Sequence, residues 1–262
     1  MEEDGAGVDA GSESEAGADP NPADGASVLG DLVARDRRRA SPALLAPGVG
    51  RSYSWFDLCT TAYKSGNVLR YLGVREGSLV EVEPEPVPEP VLAFLGAVLL
   101  GAAARFEPRA DGTARAVLVP VEREGAFDPP AGTKLAVYGG PPGAATTTHW
   151  EAEVWSENPA VHPATVSPGD DALRAGGRSF THADLLAAAV DVAERVELRG
   201  TDAMAVRGSL GDPGVVAAGV LAPLYAGCRF VLDPPPGERY DAAVAVGGEA
   251  PESRVVDAGD VL

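Results

Sequence analysis

The residues able to do chemistry are few. The chain holds three histidines, His149, His162 and His182, and two cysteines, Cys59 and Cys228. A zinc site needs thiolates and imidazoles recurring at short intervals so that four donors converge, and no such spacing relates these residues. The cysteines stand far apart in apolar stretches, which suits small buried thiols rather than a disulfide. Nucleophilic hydrolysis would call for a serine on a Gly-x-Ser-x-Gly turn, and none occurs. His182 lies at a predicted helix start, where an imidazole caps the helix or faces solvent rather than serving as a base. Asp170 and Asp171 read as solvated loop charge and not as a metal site. The run Gly139–Ala144 (GGPPGA) follows a predicted strand but lacks the spaced glycines or the Gly-Lys-Ser/Thr of a phosphate cradle, so it reads as a turn. No catalytic, cofactor-binding or metal-ligating residue is assigned, and no cofactor is implied.

The elements that would position any site come in two copies. Gly50–Ala62 reads GRSYSWFDLCTTA and Gly177–Ala189 reads GRSFTHADLLAAA. Ser54 and Thr181 are predicted N-caps, each opening an amphipathic helix. An apolar strand comes after it in each copy, SLVEVE from Ser78 and DAMAVRG from Asp202. Next is a Pro-initiated apolar helix within Pro90–Pro108 and Pro213–Pro234, leading to a strand expected to end in Arg-Phe. A last strand is ARAVLVP from Ala114 or YDAAVAV from Tyr240. Buried strands alternating with helices predict an α/β fold, with two similar lobes of mostly parallel sheet flanked by helices.

The expected organisation is an acidic tail over 1–27, a first lobe over 28–130, a connector over 131–168 and a second lobe over 169–262. The tail is nearly devoid of large apolar side chains and is expected to be disordered. After it, Val28, Leu29, Leu32 and Val33 share a helical face. Trp150 and Trp155 in the connector need apolar surface to cover them. The stretch Glu81–Pro90 (EVEPEPVPEP) reads as a proline-restricted loop.

Against 39 acidic residues stand 21 basic ones, and only Lys64 and Lys134 are lysines. The net charge of −18 makes nucleic acid and anionic lipid poor partners. Dense carboxylates with so few lysines suit a salt-rich cytoplasm, where self-repulsion is screened. The longest apolar run, Val91–Ala104, is too short to span a bilayer. With no basic, apolar leader either, a cytoplasmic location is expected.

The stretch Ser52–Glu83, SYSWFDLCTTAYKSGNVLRYLGVREGSLVEVE, resembles the opening of the large domain of AMP-forming acyl-CoA synthetases and their adenylate-forming relatives. Ser78 stands where that family commonly has Asp. The helix from Pro88, PEPVLAFLGAVLLGAAARF, is similar to the family's Leu-Gly-Ala helix. FTHADLLAAA (180–189) looks like its Thr-His-x-Asn-Leu segment, and Gly208–Leu232 is similar to the family's next stretch, which ends in Val-Leu. The likeness covers about residues 28–125 and 165–235.

The resemblance implies a phosphate loop just before the Thr-His segment, rich in Thr, Ser and Gly and ending Pro-Lys-Gly. Here that place holds DDALRAGGRS (170–179): Gly176, Gly177 and Ser179 are small, and no lysine is present. Arg178 offers a cation, while Asp170 and Asp171 oppose an anion. Asp212 stands at the family's His. The family's later motifs find no counterpart as far as Leu262. The resemblance therefore implies a synthetase-like protein that has lost adenylation and acts by binding or as a subunit with a protein partner. The alternative is the non-catalytic half of a split ligase.

Overall fold

The structure is a computed structural model that describes residues 23–109 and 111–262. Most of the expected 1–27 tail lies outside the described residues. Its last residues are anchored: the Ala23 N–H donates to the Tyr225 carbonyl at 2.8 Å, and Ala23 is buried.

Among the described residues the first element is a 3₁₀ helix, Leu29–Val33, that places Leu29, Leu32 and Val33 entirely out of solvent. A hairpin comes next, β1 Pro42–Ala46 and β2 Arg51–Ser54, then helix α1 Trp55–Tyr71. Strand β3 Leu79–Val82, helix α2 Pro88–Val98, strands β4 Ala103–Arg105, β5 Ala116–Pro120, β6 Lys134–Tyr138 and β7 Thr148–His149, and helix α3 Trp150–Ser156 complete the first half.

A second hairpin, β8 Asp171–Ala175 and β9 Arg178–Thr181, leads to α4 His182–Arg195 and β10 Ala203–Arg207. Helix α5 Pro213–Val216 passes through a π-helical turn at Ala217–Leu221 into α6 Ala222–Ala226. Strands β11 Arg229–Leu232, β12 Ala242–Ala245 and β13 Val255–Asp257 finish the fold. Arg105 closes β4 but Arg229 opens β11, so the expected Arg-Phe strand ending holds only in the first copy.

Two sheets result. One has seven strands in the order β7-β6-β5-β3-β4-β8-β9 and the other six in the order β13-β12-β10-β11-β1-β2. All pairings are parallel except within the two hairpins. Apart from β7, which has no counterpart, the strands of the two sheets follow the same order. The hairpins, however, are exchanged. The one that opens the first copy (β1–β2) pairs with β11, and the one that opens the second (β8–β9) pairs with β4. Each sheet is thus built from both copies, and the expected connector adds β6 and β7 to the seven-stranded sheet.

The repeated helices start for the same local reason. Ser54 Oγ accepts from the Asp57 N–H at 3.1 Å while the Asp57 carboxylate accepts from the Ser54 N–H. Thr181 and Asp184 reproduce this reciprocal cap. α1 and α2 cross at two glycines, where a Cβ on Gly96 would stand 2.6 Å from the Gly66 nitrogen. The Leu29–Val33 turn is wedged among α1, α2, α4 and α6. Its three apolar side chains join a core that runs continuously through both sheets. Burying each contributes about 1.5–3 kcal/mol.

Candidate functional site

Where the resemblance implies a phosphate loop, β8 and β9 meet directly. Ala175 pairs with Arg178, leaving Gly176 and Gly177 as the whole connection, with φ of +57° and +79°. Positive φ at both central residues is the hairpin turn that matches strand twist, and it favours glycine. Cradling a phosphate takes several successive N–H groups converging on one point, for which this turn has no length. Its side chains are engaged elsewhere. The Asp171 carboxylate accepts from Arg174 at 2.9 Å and from the Ser179 hydroxyl at 3.0 Å. The Arg178 guanidinium lies over the Phe180 ring at 4.7 Å, and the Asp170 carboxylate accepts from the Ser167 N–H at 2.8 Å.

Doubly wound sheets bind ligands beyond the carboxyl ends of their strands, where the strand order reverses. Here those points lie between β3 and β5 and between β10 and β12. At the first, Glu83 is ion-paired with Arg123, and Tyr138 donates to the Glu85 carboxylate at 2.7 Å. Burial, and then that hydrogen bond, push the Tyr138 hydroxyl far up, so it stays protonated. Beneath them the buried Glu81 pairs with Arg105 and accepts from the Arg109 N–H at 2.9 Å. At the second point Arg207 holds the Glu252 carboxylate at 2.6 Å and donates to the Glu238 carbonyl. Burial pushes Glu252 upward, but the hydrogen bonds from Arg207, those from backbone N–H groups and the Arg207 charge together outweigh it and leave the carboxyl below its ordinary range. Asp212 caps α5 by accepting from the Gly214 N–H at 2.9 Å. At both points the arginines best placed to meet an anion already hold carboxylates.

A groove of about 360 Å³ opens between β2, α1, α2 and α3. Trp150 is buried and forms part of its wall, whereas Trp155, expected to find cover, stands 86% exposed at the same groove. α3 turns only one face inward, and Trp155 lies on the other. Arg51 in the groove pairs with the nearly buried Glu89 and donates to the Tyr53 hydroxyl, and Lys64 donates to the Trp155 carbonyl at 3.1 Å. Thr60 and Thr61 add hydroxyls. Such a groove can hold an apolar or aromatic ligand, and it contains no nucleophile with an adjacent base. No sequence pattern marks it, because its residues come from four elements.

The remaining sequence candidates are scattered. His182 is not at the surface: it is wholly buried, and its Nδ1 accepts from the Leu29 N–H at 3.1 Å. The 3₁₀ turn Leu29–Val33 covers it, which the local sequence does not reveal. His162 is buried against the Tyr63 ring, with centroids 5.6 Å apart, and His149 is 3.5 Å from Glu151. Cys59 and Cys228 are buried free thiols, pushed up by burial to about 11 and about 12. In the Gly139–Ala144 turn, the Gly143 and Ala144 N–H groups donate to Glu124, so a carboxylate occupies what an anion would need. No cluster of His, Cys, Asp and Glu suited to a metal ion exists among the described residues. No helix among them is long and apolar enough to cross a membrane.

No family model and no curated protein matches the sequence. The structure nevertheless has clear counterparts. An anthranilate CoA ligase, AuaEII, solved with anthranoyl-AMP, aligns with a TM-score of 0.70 at 20% identity over 83% of this chain and 49% of that one. A benzoate CoA ligase from Burkholderia xenovorans LB400 gives 0.69 at 20% identity over 83% and 50%. The N-terminal domain of FACL13 from Mycobacterium tuberculosis gives 0.66 at 17% identity over 79% and 57%. The chain therefore spans about half the length of these two CoA ligases. At such identities the likeness establishes the fold, mixed parallel α/β sheets flanked by helices as in the N-terminal domain of acyl-CoA ligases.

Proposed function

We propose that this chain keeps the scaffold of an AMP-forming acyl-CoA ligase but not its adenylation chemistry, and that it works by binding, alone or as a subunit with a protein partner in the cytoplasm. The Gly176–Gly177 turn carries this reading. Adenylation requires the triphosphate to be gripped while charge develops on it. A two-residue turn does not supply the run of N–H groups, and the cation next to it, Arg178, lies over the Phe180 ring with Asp171 close by in the paired strand. The paired arginines at both switch points support the same view, and the groove at Trp150 and Trp155 gives a binding function a place. Calorimetric titration of the purified protein with ATP and Mg²⁺ tests it: no saturable heat is expected, and micromolar affinity would overturn the reading.

A second reading, the non-catalytic half of a split ligase, draws support from the extent of the alignment, about half of each of the two CoA ligases. It expects ATP–pyrophosphate exchange from the complex isolated from its native cell, and none from this chain by itself.

A further inference from the structure

Between α3 and β8, residues 157–170 form no helix or strand, and His162 alone among them is buried. The two ends of this stretch are held by polar contacts. Asn67 Nδ2 donates to the Asn158 carbonyl at 2.8 Å and Arg35 to that of Pro159, while the Ser167 N–H donates to the Asp170 carboxylate at 2.8 Å. Among the described residues no hydrogen bond ties residues 161–165 to the fold. Val161 is 63% exposed, so the His162 ring is what anchors this part of the chain.

The ring sits in a slot on α1. It stacks on the Tyr63 ring, with centroids 5.6 Å apart and planes 16° from parallel. A Cβ on Gly66 would overlap Nε2 and stand 2.7 Å from Cε1, so the slot exists because position 66 is glycine. Neither ring nitrogen has a hydrogen-bond partner. The slot therefore holds the imidazole as a flat apolar body. His182 is held differently, since its Nδ1 accepts from the Leu29 N–H.

The charged groups around the slot are cations. On α1, Arg70 adds to burial in lowering the His162 pKa, and Lys64 lies next to Tyr63 and donates to the Trp155 carbonyl. Arg35, from the turn before β1, is 5.4 Å from the Tyr63 centroid. α2 brings the Gly96 carbonyl, 3.1 Å from a Cβ on Gly66. An imidazolium in the slot has neither water nor an acceptor, and outside it has water. We propose that residues 161–165 are a strap latched by the neutral His162 ring in the Gly66 slot, and that protonation of His162 releases it. Released, the imidazole titrates near its ordinary value of about 6.5; seated, it titrates lower. The latched form is therefore fully favoured above about pH 6.5 and loses ground as pH falls, by up to about tenfold in the latched-to-released ratio per unit. Release uncovers the Tyr63 face and loosens the link from β8 to α3, a wall of the Trp150–Trp155 groove.

Heteronuclear NOE values, which read mobility on the picosecond-to-nanosecond scale, test this on the full chain at the amides of Val161, His162, Ala164 and Thr165. At about pH 7.5 they should match those of α1, and at about pH 5 they should fall to those of mobile chain while α1 keeps its values. The midpoint of the loosening should coincide with the titration of the His162 Cε1–H shift. In H162A the strap should be mobile at both pH values. A strap still ordered at about pH 5, or already mobile at about 7.5, overturns the proposal. So does loosening that does not follow the His162 titration or that α1 shares, and so does an ordered strap in H162A.

Discussion

His162 and His182 are imidazoles removed from water, and neither has a carboxylate within ion-pair distance among the described residues. Burial, and for His162 also the nearby charge of Arg70, lowers both pKa values. For His182 the carboxylates of Asp170 and Asp31 oppose that shift without reversing it. A group whose folded-state pKa is depressed stabilises the fold fully above its unfolded value, about 6.5, and loses that contribution as pH falls through the folded value. The melting temperature is therefore expected to start falling just below about pH 6.5, ahead of the carboxylates. In H162F, which keeps a ring against Tyr63 and cannot titrate, the slope between about pH 6.5 and 5 should be shallower. A thermal-shift series in matched buffers checks this, and an unchanged slope would show that His162 is protonated without cost in the fold. At this scale the four arginines before β1 stand in the sequence, but their stacking on Trp55, Phe56 and Tyr63 does not, because those rings belong to α1 and meet them only in the fold.

The elements begin where short-range chemistry tells them to. Ser54 with Asp57 and Thr181 with Asp184 form matched caps at the two copies of one motif, and both were readable as Ser/Thr ahead of an apolar period. S54A and T181A should each cost about 1 kcal/mol, measured as equal displacements of the denaturation midpoint. If T181A costs much more, the cap of α4 is also holding His182 under Leu29, 3.1 Å away. Less readable was the stretch Glu81–Pro90. The expected loop shrinks to residues 83–87: Glu81 and Val82 belong to β3, Pro88–Pro90 open α2, and Glu81 and Glu89 are buried and paired with Arg105 and Arg51. A glutamate sequence looks solvated until the strands bring arginines to it.

Across the whole molecule the exchanged hairpins decide how the protein must unfold. β1–β2 complete the sheet of the second copy, β8–β9 complete that of the first, and Leu29–Val33 is buried between them. Neither copy can keep its sheet edge covered if the other is lost. Denaturation is therefore expected as a single transition, with circular dichroism and tryptophan fluorescence coinciding. Expressed separately, residues 28–130 and 169–262 should each fail to give a dispersed NMR spectrum. Two resolved transitions, or one fragment folding by itself, would contradict this account of the core.

What the sequence determined by itself is what depends on near neighbours and on repetition. It set the helix starts, the repeated buried strands and the duplicated order of elements, and it showed small residues without a lysine where the resemblance implies a phosphate loop. Periodicity and capping act over a few residues, so they survive without any knowledge of what lies across the core. Tertiary structure alone decided the rest: which hairpin belongs to which sheet, that Trp155 is exposed while His182 is buried, and which arginines found a carboxylate. Those outcomes depend on residues tens to more than a hundred positions apart meeting in space. No local pattern encodes that until the two sheets close around one core.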